Sequence, residues 1–454
     1  MTSSPKYSGL LTDLYELTMA AGYLGTGFHA RATFELFVRS LPPRRNYLVA
    51  TGLDQGLDFL ENVRFSDEEI AYARKLPVFA HTSDDFFNYL AQFHFSGDVW
   101  AMPEGTVFFP GEPILRVTAP IVEAQVVETF LLATINFQTM IASKAARITQ
   151  VADGRPVIEF GTRRAHGVES GVLAARAAII GGCQGTSNVA AGHQFGIPVY
   201  GTQAHSWIMA YEDEAEAFRR FLDIFPDHAV LLVDTYDVRA AVEKIISAGR
   251  KPRGIRLDSG DLAADSAWAR ARLDEAGWKD VIVFASGDLD EHRISSLLAK
   301  GARIDSFGVG TALVTSNDSP TLGVIYKLVE IEIGGEVRSA AKFSAAKVTY
   351  PGRKQVYRFR HPDGTFAHDV IGLMEEDFPG SDTLLEPVMM GGNRTAPRTD
   401  LDAARTRCSQ QRARLPEPVR DLNAEAATYP VRHSEKLEAL LEEVRRRVRH
   451  AARI

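Results

Sequence analysis

Between Pro156 and Thr311 the chain alternates short apolar runs with stretches of helical periodicity. The runs fall at 157–160 (VIEF), 178–181, 197–200 (IPVY), 229–233 (AVLLV), 254–257, 281–285 and 304–307. Helical patterns lie between most of them, at 168–178, 187–195, 212–225, 237–248, 262–276 and 290–300. Several of these helices open at Ser or Asp, as capped helices do. Strand alternating with helix in this way is the mark of a parallel α/β domain, because a parallel neighbour needs a crossover. Seven such strands suggest an irregular α/β barrel rather than an open sheet. Closure of the barrel stays open at this point.

The flanking segments follow other periods. Residues 8–24 read as a helix, with Leu10, Leu14 and Leu17 at helical spacing and Thr12 or Asp13 as its cap. Helices are also expected within 52–95, and one long helix over 121–150. From Gly97 to Pro120, short β runs are punctuated by Pro and Gly, as in a small antiparallel sheet. After Thr311 the α/β alternation stops and hairpins are expected, with turns at Gly334-Gly335 and Asp363-Gly364. These strands would complete the sheet begun near Gly97. The expected division is a discontinuous, mostly β α+β domain (1–125 and 315–395), an α/β barrel (126–314), and a surface-wrapping tail with an amphipathic last helix (396–454).

Composition narrows the function. The 454 residues include 45% hydrophobic and 24% charged residues, enough for a sizeable core and against disorder. A net charge of −7 leaves no basic footprint for nucleic acid. Two distant cysteines, Cys183 and Cys408, make neither a disulfide framework nor a zinc cluster, which fits a reducing compartment. No secretory signal opens the chain and no apolar run reads as long enough to cross a bilayer. A cytoplasmic protein without a membrane partner is expected.

The candidate chemistry sits where the strands end, because parallel α/β enzymes gather their site at the carboxyl ends of the strands. The first end is EFGTRRAHG, with Glu159, Arg163, Arg164 and His166. Next come GCQGTSNVA, opening a helix near Ser187 and Asn188, and GTQAHSW, with Thr202 and His205. The fourth is LLVDTYD, with Asp234 and Asp237. GIRLDSGDL supplies Arg256, Asp258 and Asp261, and VIVFASGDLD supplies Gly287, Asp288 and Asp290. The last, IDSFGVGTAL, ends in Gly308, Gly310 and Thr311. Arginine suits planar carboxylate or phosphate anions, and backbone N–H groups in a glycine turn can face phosphate.

Taken singly, each signal has a bland explanation. Asp261 and Asp290 read as helix caps, GVGT as a plain turn, and a lone His205 as a satisfied structural histidine. His166 and His193 stay in that class. Convergence on one rim is what asks for a joint explanation, and the combination suits a sugar phosphate.

From TDLYELTMAAGY through EFGTRRAHG, GTSNVAAG, GTQAHSW, VDTYDV, GIRLDSGDL, ASGDLDE and FGVGTALVTS, the chain resembles the nicotinate phosphoribosyltransferases over roughly residues 8 to 330. The resemblance implies an irregular barrel of the type II phosphoribosyltransferase kind with a discontinuous β-rich domain. It also implies synthesis of nicotinate mononucleotide and diphosphate from nicotinate and 5-phosphoribosyl 1-diphosphate, coupled to ATP hydrolysis through a phosphohistidine. By motif, His205 would take the phosphoryl group, Asp234 would orient it, and Arg256 and Asp258 would hold the base and the ribosyl diphosphate. Gly287 and Asp288 would face the ribose hydroxyls, and Gly308, Gly310 and Thr311 the 5-phosphate. Thr202 and Arg163 would lie near the carboxylate or phosphates. Tyr15 would stack on the pyridine ring from the neighbouring subunit of a dimer. Mg²⁺ is expected with ATP and the diphosphate, its ligands unassigned.

Nicotinamide-using relatives resemble this chain but carry an aspartate where Ser187 stands. An aspartate would accept from an amide and repel a carboxylate, so serine points to nicotinate. Other readings are an aldolase or isomerase, a quinolinate phosphoribosyltransferase and a catalytically silent metabolite sensor. The first wants a strand-end lysine or glutamate base, the second a more cationic pocket, and the third a missing strand-end residue.

Overall fold

The computed structural model describes residues 7–344, 348–422 and 428–451. The chain divides into two units, Met1–Met140 with Thr321–Ile454, and Ile141–Pro320. The boundaries differ from those expected. The first falls inside the helix Glu128–Val151 rather than before it, and residues 396–454 group with the first unit. The reason lies in the burial of that segment. Ala404 and Cys408 of the helix Leu401–Ala413, and Leu437, Leu441 and Val444 of the last helix Glu435–Ala451, are buried.

In the first unit a seven-stranded sheet includes the interior strand Arg31–Val38, which pairs antiparallel with Pro113–Pro120 on one side and Val324–Ile333 on the other. The hairpin Val324–Ile333 and Glu336–Ser339 joins this sheet, with Gly334 and Gly335 at positive φ in its turn. The second hairpin does not. Lys354–Arg360 and Phe366–Leu373 build a separate four-stranded sheet with Asp382–Thr383 and Val431–His433. The expected long helix is two, Ile121–Val126 and Glu128–Val151. Contrary to the expectation for apolar runs, Ile121–Val151 is long and apolar enough to cross a membrane by composition. An apolar 18-residue stretch of it is 61% buried inside the protein, and the segment carries Lys144 and Arg147, the character of a core helix.

The second unit holds a six-stranded sheet, parallel throughout. Its order is Gly185–Thr186, Val157–Glu159, Ser306–Val309, Ile282–Ala285, Gly254–Leu257 and Val230–Leu232. The last strand in sequence therefore lies beside the first. An isolated parallel bridge from Thr186 to Val199 extends the outer edge. The run 178–181, expected as a strand, is the end of the helix Val168–Ile180. Buried helix and buried strand share the same apolar signature over so few residues, and here the alanine-rich AARAA stretch decides for helix. Ile255, Leu257, Val283 and Phe307 fill the interior. Asp237, Asp261 and Asp290 accept from backbone N–H groups at the starts of their helices, so the cap reading of the last two holds.

Candidate active site at the strand ends of the second unit

Arg256 is the hub. On the strand Gly254–Leu257 the apolar Ile255 and Leu257 are fully buried, and alternation sends the arginine to the other side. Its Nε donates to Ser286 Oγ at 2.7 Å, Nη1 to Thr202 Oγ1 at 2.9 Å and Nη2 to Asp258 Oδ1 at 2.6 Å. Nη1 also reaches the Gln203 carbonyl at 3.4 Å, and the guanidinium lies 5.7 Å from the Phe160 ring centre. With 13% of its side chain exposed, this planar cation is fixed in direction before any ligand arrives. Three segments far apart in sequence, around residues 202, 258 and 286, are thereby tied to one group.

Asp258 links this hub to the imidazole. Burial acts to raise its carboxyl, but the Ser286 hydroxyl, the Arg256 guanidinium and His205 outweigh burial and hold it below the usual carboxylate range. His205 opens the short helix His205–Met209, with Nε2 3.9 Å from Asp258 Oδ2 and Nδ1 3.1 Å from Thr235 Oγ1. The expected partner, Asp234, does not make this contact. Its Oδ2 accepts from the Asp258 N–H at 2.9 Å and from Ser259 Oγ at 2.6 Å, turning the carboxylate toward the neighbouring strand end. Asp234 therefore positions the Asp258 backbone and bears on His205 at one remove, while the adjacent Thr235 faces the ring. Asp234 Oδ1 and both polar atoms of the Gln203 side chain are buried without a hydrogen-bond partner among the described residues.

The next strand end folds directly onto this cluster. Gly287 sits at φ +88°, and a Cβ there would come within 1.8 Å of the Asp258 carbonyl oxygen. Only glycine permits that approach. Asp288 follows at φ +46°, a left-handed conformation that aspartate tolerates better than most residues, and it is exposed. At the last strand, Gly308 lies within the parallel ladder, where a Cβ would meet the Phe160 and Phe284 rings at 2.8 Å. Its need for glycine is thus one of packing, whereas Gly310 and Thr311 stand beyond the strand, half-buried and exposed.

Other expected residues lie outside the Arg256 cluster. Arg163 is exposed on the turn Thr162–Arg164. Ser187 is half-buried, its N–H donating to the Glu159 carbonyl at 2.9 Å. Glu159 is wholly buried, and burial raises its carboxyl against hydrogen bonds from Thr186 and the Gly161 N–H. Tyr15 belongs to the first unit, half exposed on the helix Leu14–Gly25. Its hydroxyl is pushed upward by burial and then by Glu128 and Glu16.

An oriented guanidinium, a carboxylate kept ionised and an imidazole with one nitrogen engaged can together hold anionic groups and offer a nucleophile. Comparison with known proteins is specific. Residues 10–136 match the nicotinate phosphoribosyltransferase (NAPRTase) N-terminal domain and residues 156–362 the nicotinate phosphoribosyltransferase (NAPRTase) family. Over 449 residues the chain is 46% identical to nicotinate phosphoribosyltransferase pncB2 of Mycobacterium tuberculosis (strain ATCC 25618 / H37Rv), covering 97% of this chain and 94% of that one. The chain belongs to the nicotinate phosphoribosyltransferase family. The Bacillus subtilis (strain 168) nicotinate phosphoribosyltransferase is 47% identical over 382 residues, covering 81% and 76% of the two chains. The crystal structure of human nicotinic acid phosphoribosyltransferase superposes with a TM-score of 0.82 at 28% identity, over 95% of this chain and 99% of that one. As in that nicotinate phosphoribosyltransferase, the fold is mixed α/β with a parallel sheet. In this family member, Thr235, Ser259, Ser286 and Gln203 join the cluster without having stood out in the sequence. All four are neutral side chains, and only Ser259 and Ser286, within the repeated SGD, carried any signal.

Proposed function

We propose that the protein joins nicotinate to 5-phosphoribosyl 1-diphosphate in NAD salvage, releasing nicotinate mononucleotide and diphosphate, with ATP hydrolysis coupled through phosphorylation of His205. The observation that carries this reading is the Arg256 cluster, a guanidinium locked by Thr202, Ser286 and Asp258 beside a half-exposed imidazole. The ribosyl carbon gains oxocarbenium character as diphosphate leaves and the pyridine nitrogen attacks. Such a reaction asks for positioning and charge stabilisation more than for proton transfer. Arg256 and Asp258 hold the base and the activated sugar, with Thr202 and Arg163 near the anionic groups. Gly287 and Asp288 face the ribose hydroxyls, and Gly310 and Thr311 take the 5-phosphate, with Gly308 letting the strand pack close behind them. If Nδ1–H of His205 donates to Thr235, Nε2 keeps its lone pair and is the nitrogen that accepts the phosphoryl group.

Mg²⁺ enters with the phosphates of ATP and phosphoribosyl diphosphate, since it keeps water and substrate oxygens as ligands. We further read the second unit as an irregular barrel: its strand order runs in sequence around the sheet, with the last strand beside the first, the order a closed sheet requires. The protein would act in the cytoplasm as a homodimer, Tyr15 of one subunit stacking on the base bound by the other.

The test is incubation with nicotinate, phosphoribosyl diphosphate and Mg²⁺, with and without ATP, following mononucleotide and ADP. His205→Ala should abolish ATP stimulation while sparing slow uncoupled turnover. Unchanged stimulation would place the phosphoryl acceptor elsewhere.

A further inference from the structure

Beneath two of these strand ends lies a buried charge network that the reaction does not use. Lys144 Nζ, on the helix Glu128–Val151, is 2.7 Å from Glu291 Oε2 and 2.9 Å from Asp318 Oδ1. Arg147, one turn further on, brings Nε to 3.1 Å from Glu291 Oε1. The side chains of Lys144, Glu291 and Arg147 are 2%, 1% and 4% exposed, and that of Asp318 22%. Burial works to raise the Glu291 carboxyl, and the two cations outweigh it.

What matters is where the two carboxylates are attached. Glu291 is the first residue of the helix Glu291–Ala299, directly behind the Gly287-Asp288 turn, and Asp290 caps that helix through the Arg293 N–H. Asp318 follows the helix Thr311–Val314, which starts at the Gly310-Thr311 turn. Backbone hydrogen bonds run from that turn through the stretch on either side of Asp318, from Thr315 to Thr311, Ser316 to Leu313 and Ser319 to Ser316. The parent strands, Ile282–Ala285 and Ser306–Val309, are parallel neighbours in the sheet. One ammonium group therefore ties together the segments that carry the ribose-facing turn and the phosphate-facing turn. Three residues in these segments hold left-handed backbone, Gly287, Asp288 and Ser316. Buried ion pairs add little stability over apolar packing of the same volume, but they fix distance and direction.

We propose that Lys144 is a positioning residue, setting the spacing between the ribose-hydroxyl turn at Gly287-Asp288 and the 5-phosphate turn at Gly310-Thr311. This rests on the roles given to those turns under the proposed function. Lys144 touches no substrate; it acts through Glu291 and Asp318. A ligand that spans both turns feels the spacing, and one that occupies a single turn does not.

Ribose 5-phosphate and inorganic phosphate make that comparison, titrated calorimetrically into the full-length protein. Lys144→Met combined with Asp318→Asn keeps the network neutral, with Arg147 still facing Glu291. This double variant should weaken ribose 5-phosphate about tenfold while leaving inorganic phosphate within about twofold, at an unchanged thermal midpoint. In turnover, KM for phosphoribosyl diphosphate should rise by a similar factor and KM for nicotinate should not. Equal weakening of both ligands, or of neither, overturns the proposal. Should the double variant not fold, Lys144→Arg keeps the charge, changes the reach and carries the same comparison. If wild-type protein forms no nicotinate mononucleotide yet the ligand contrast appears, the proposed reaction falls and the brace stands. Product formation without the contrast gives the reverse.

Discussion

Ser187 follows the two-residue strand Gly185–Thr186 and stands just before the Asn188 cap of the next helix, and under the proposed function a carboxylate there would meet the acid group of nicotinate. An acidic side chain is tolerated at a helix start, so Ser187→Asp should fold normally and report on the ligand alone. The expected result is a loss in kcat/KM for nicotinate at least tenfold greater than the loss for nicotinamide, about 1.4 kcal/mol of discrimination. Equal losses for the two bases would remove Ser187 from the question of specificity. Gly287 makes the opposite kind of residue-scale demand. Gly287→Ala forces a methyl group against the Asp258 carbonyl and an unfavourable φ, and should lower stability by at least about 2 kcal/mol in denaturant unfolding. A variant of wild-type stability would mean that the turn is free to shift. His205, Arg256 and Asp258 were legible in the sequence because charged residues at strand ends invite a functional question. Thr235 was not, since a threonine between two acidic positions reads as an ordinary loop residue until its hydroxyl is seen at the imidazole.

Among the elements, the helices of the second unit were the most legible. Their periodicity is reinforced by a start signal, and Asp261 shows its worth by accepting from the N–H groups of both Ala263 and Ala264. Asp261→Ala should cost about 1 kcal/mol in unfolding free energy, with little change in the affinity for phosphoribosyl diphosphate. A collapse of that affinity would instead make Asp261 part of the ligand site. Strands were read less well. Gly185–Thr186 is too short to show alternation, and the apolar end of Val168–Ile180 imitated a strand because it is buried nearly all round. The hairpin Lys354–Arg360 with Phe366–Leu373 was foreseen as a hairpin but assigned to the wrong sheet. Local turn chemistry at Asp363-Gly364 fixes the pairing of two strands, whereas the sheet they enter depends on partners far along the chain.

For the molecule as a whole, pH dependence of stability should carry the mark of Glu16. This side chain is fully buried, accepts a hydrogen bond from Gln125, and is pushed up to about 7, chiefly by burial. Between its ordinary value near 4.5 and about 7, the folded protein binds more protons here than the unfolded chain does. The Glu16 contribution therefore weakens stability as pH rises through that window, and is constant above it. Glu16→Gln keeps an acceptor for Gln125 and removes the charge, so it should stabilise the protein at pH 8 by on the order of 2 kcal/mol and have no such benefit at pH 4. Paired unfolding curves at the two pH values decide it; a benefit independent of pH would mean that the carboxyl titrates alike in the folded and unfolded protein.

The interior strand Arg31–Val38 takes one of its two partners from Val324–Ile333, with Arg31 opposite Glu332. During synthesis, that edge must wait until nearly three hundred further residues have left the ribosome, while all of Ile141–Pro320 emerges in between. The nascent chain thus spends most of its elongation with one edge of an apolar strand open, the condition under which strands recruit the wrong neighbour. Folding yield in the cell should accordingly depend on whatever shields that edge until the second half of the sheet arrives.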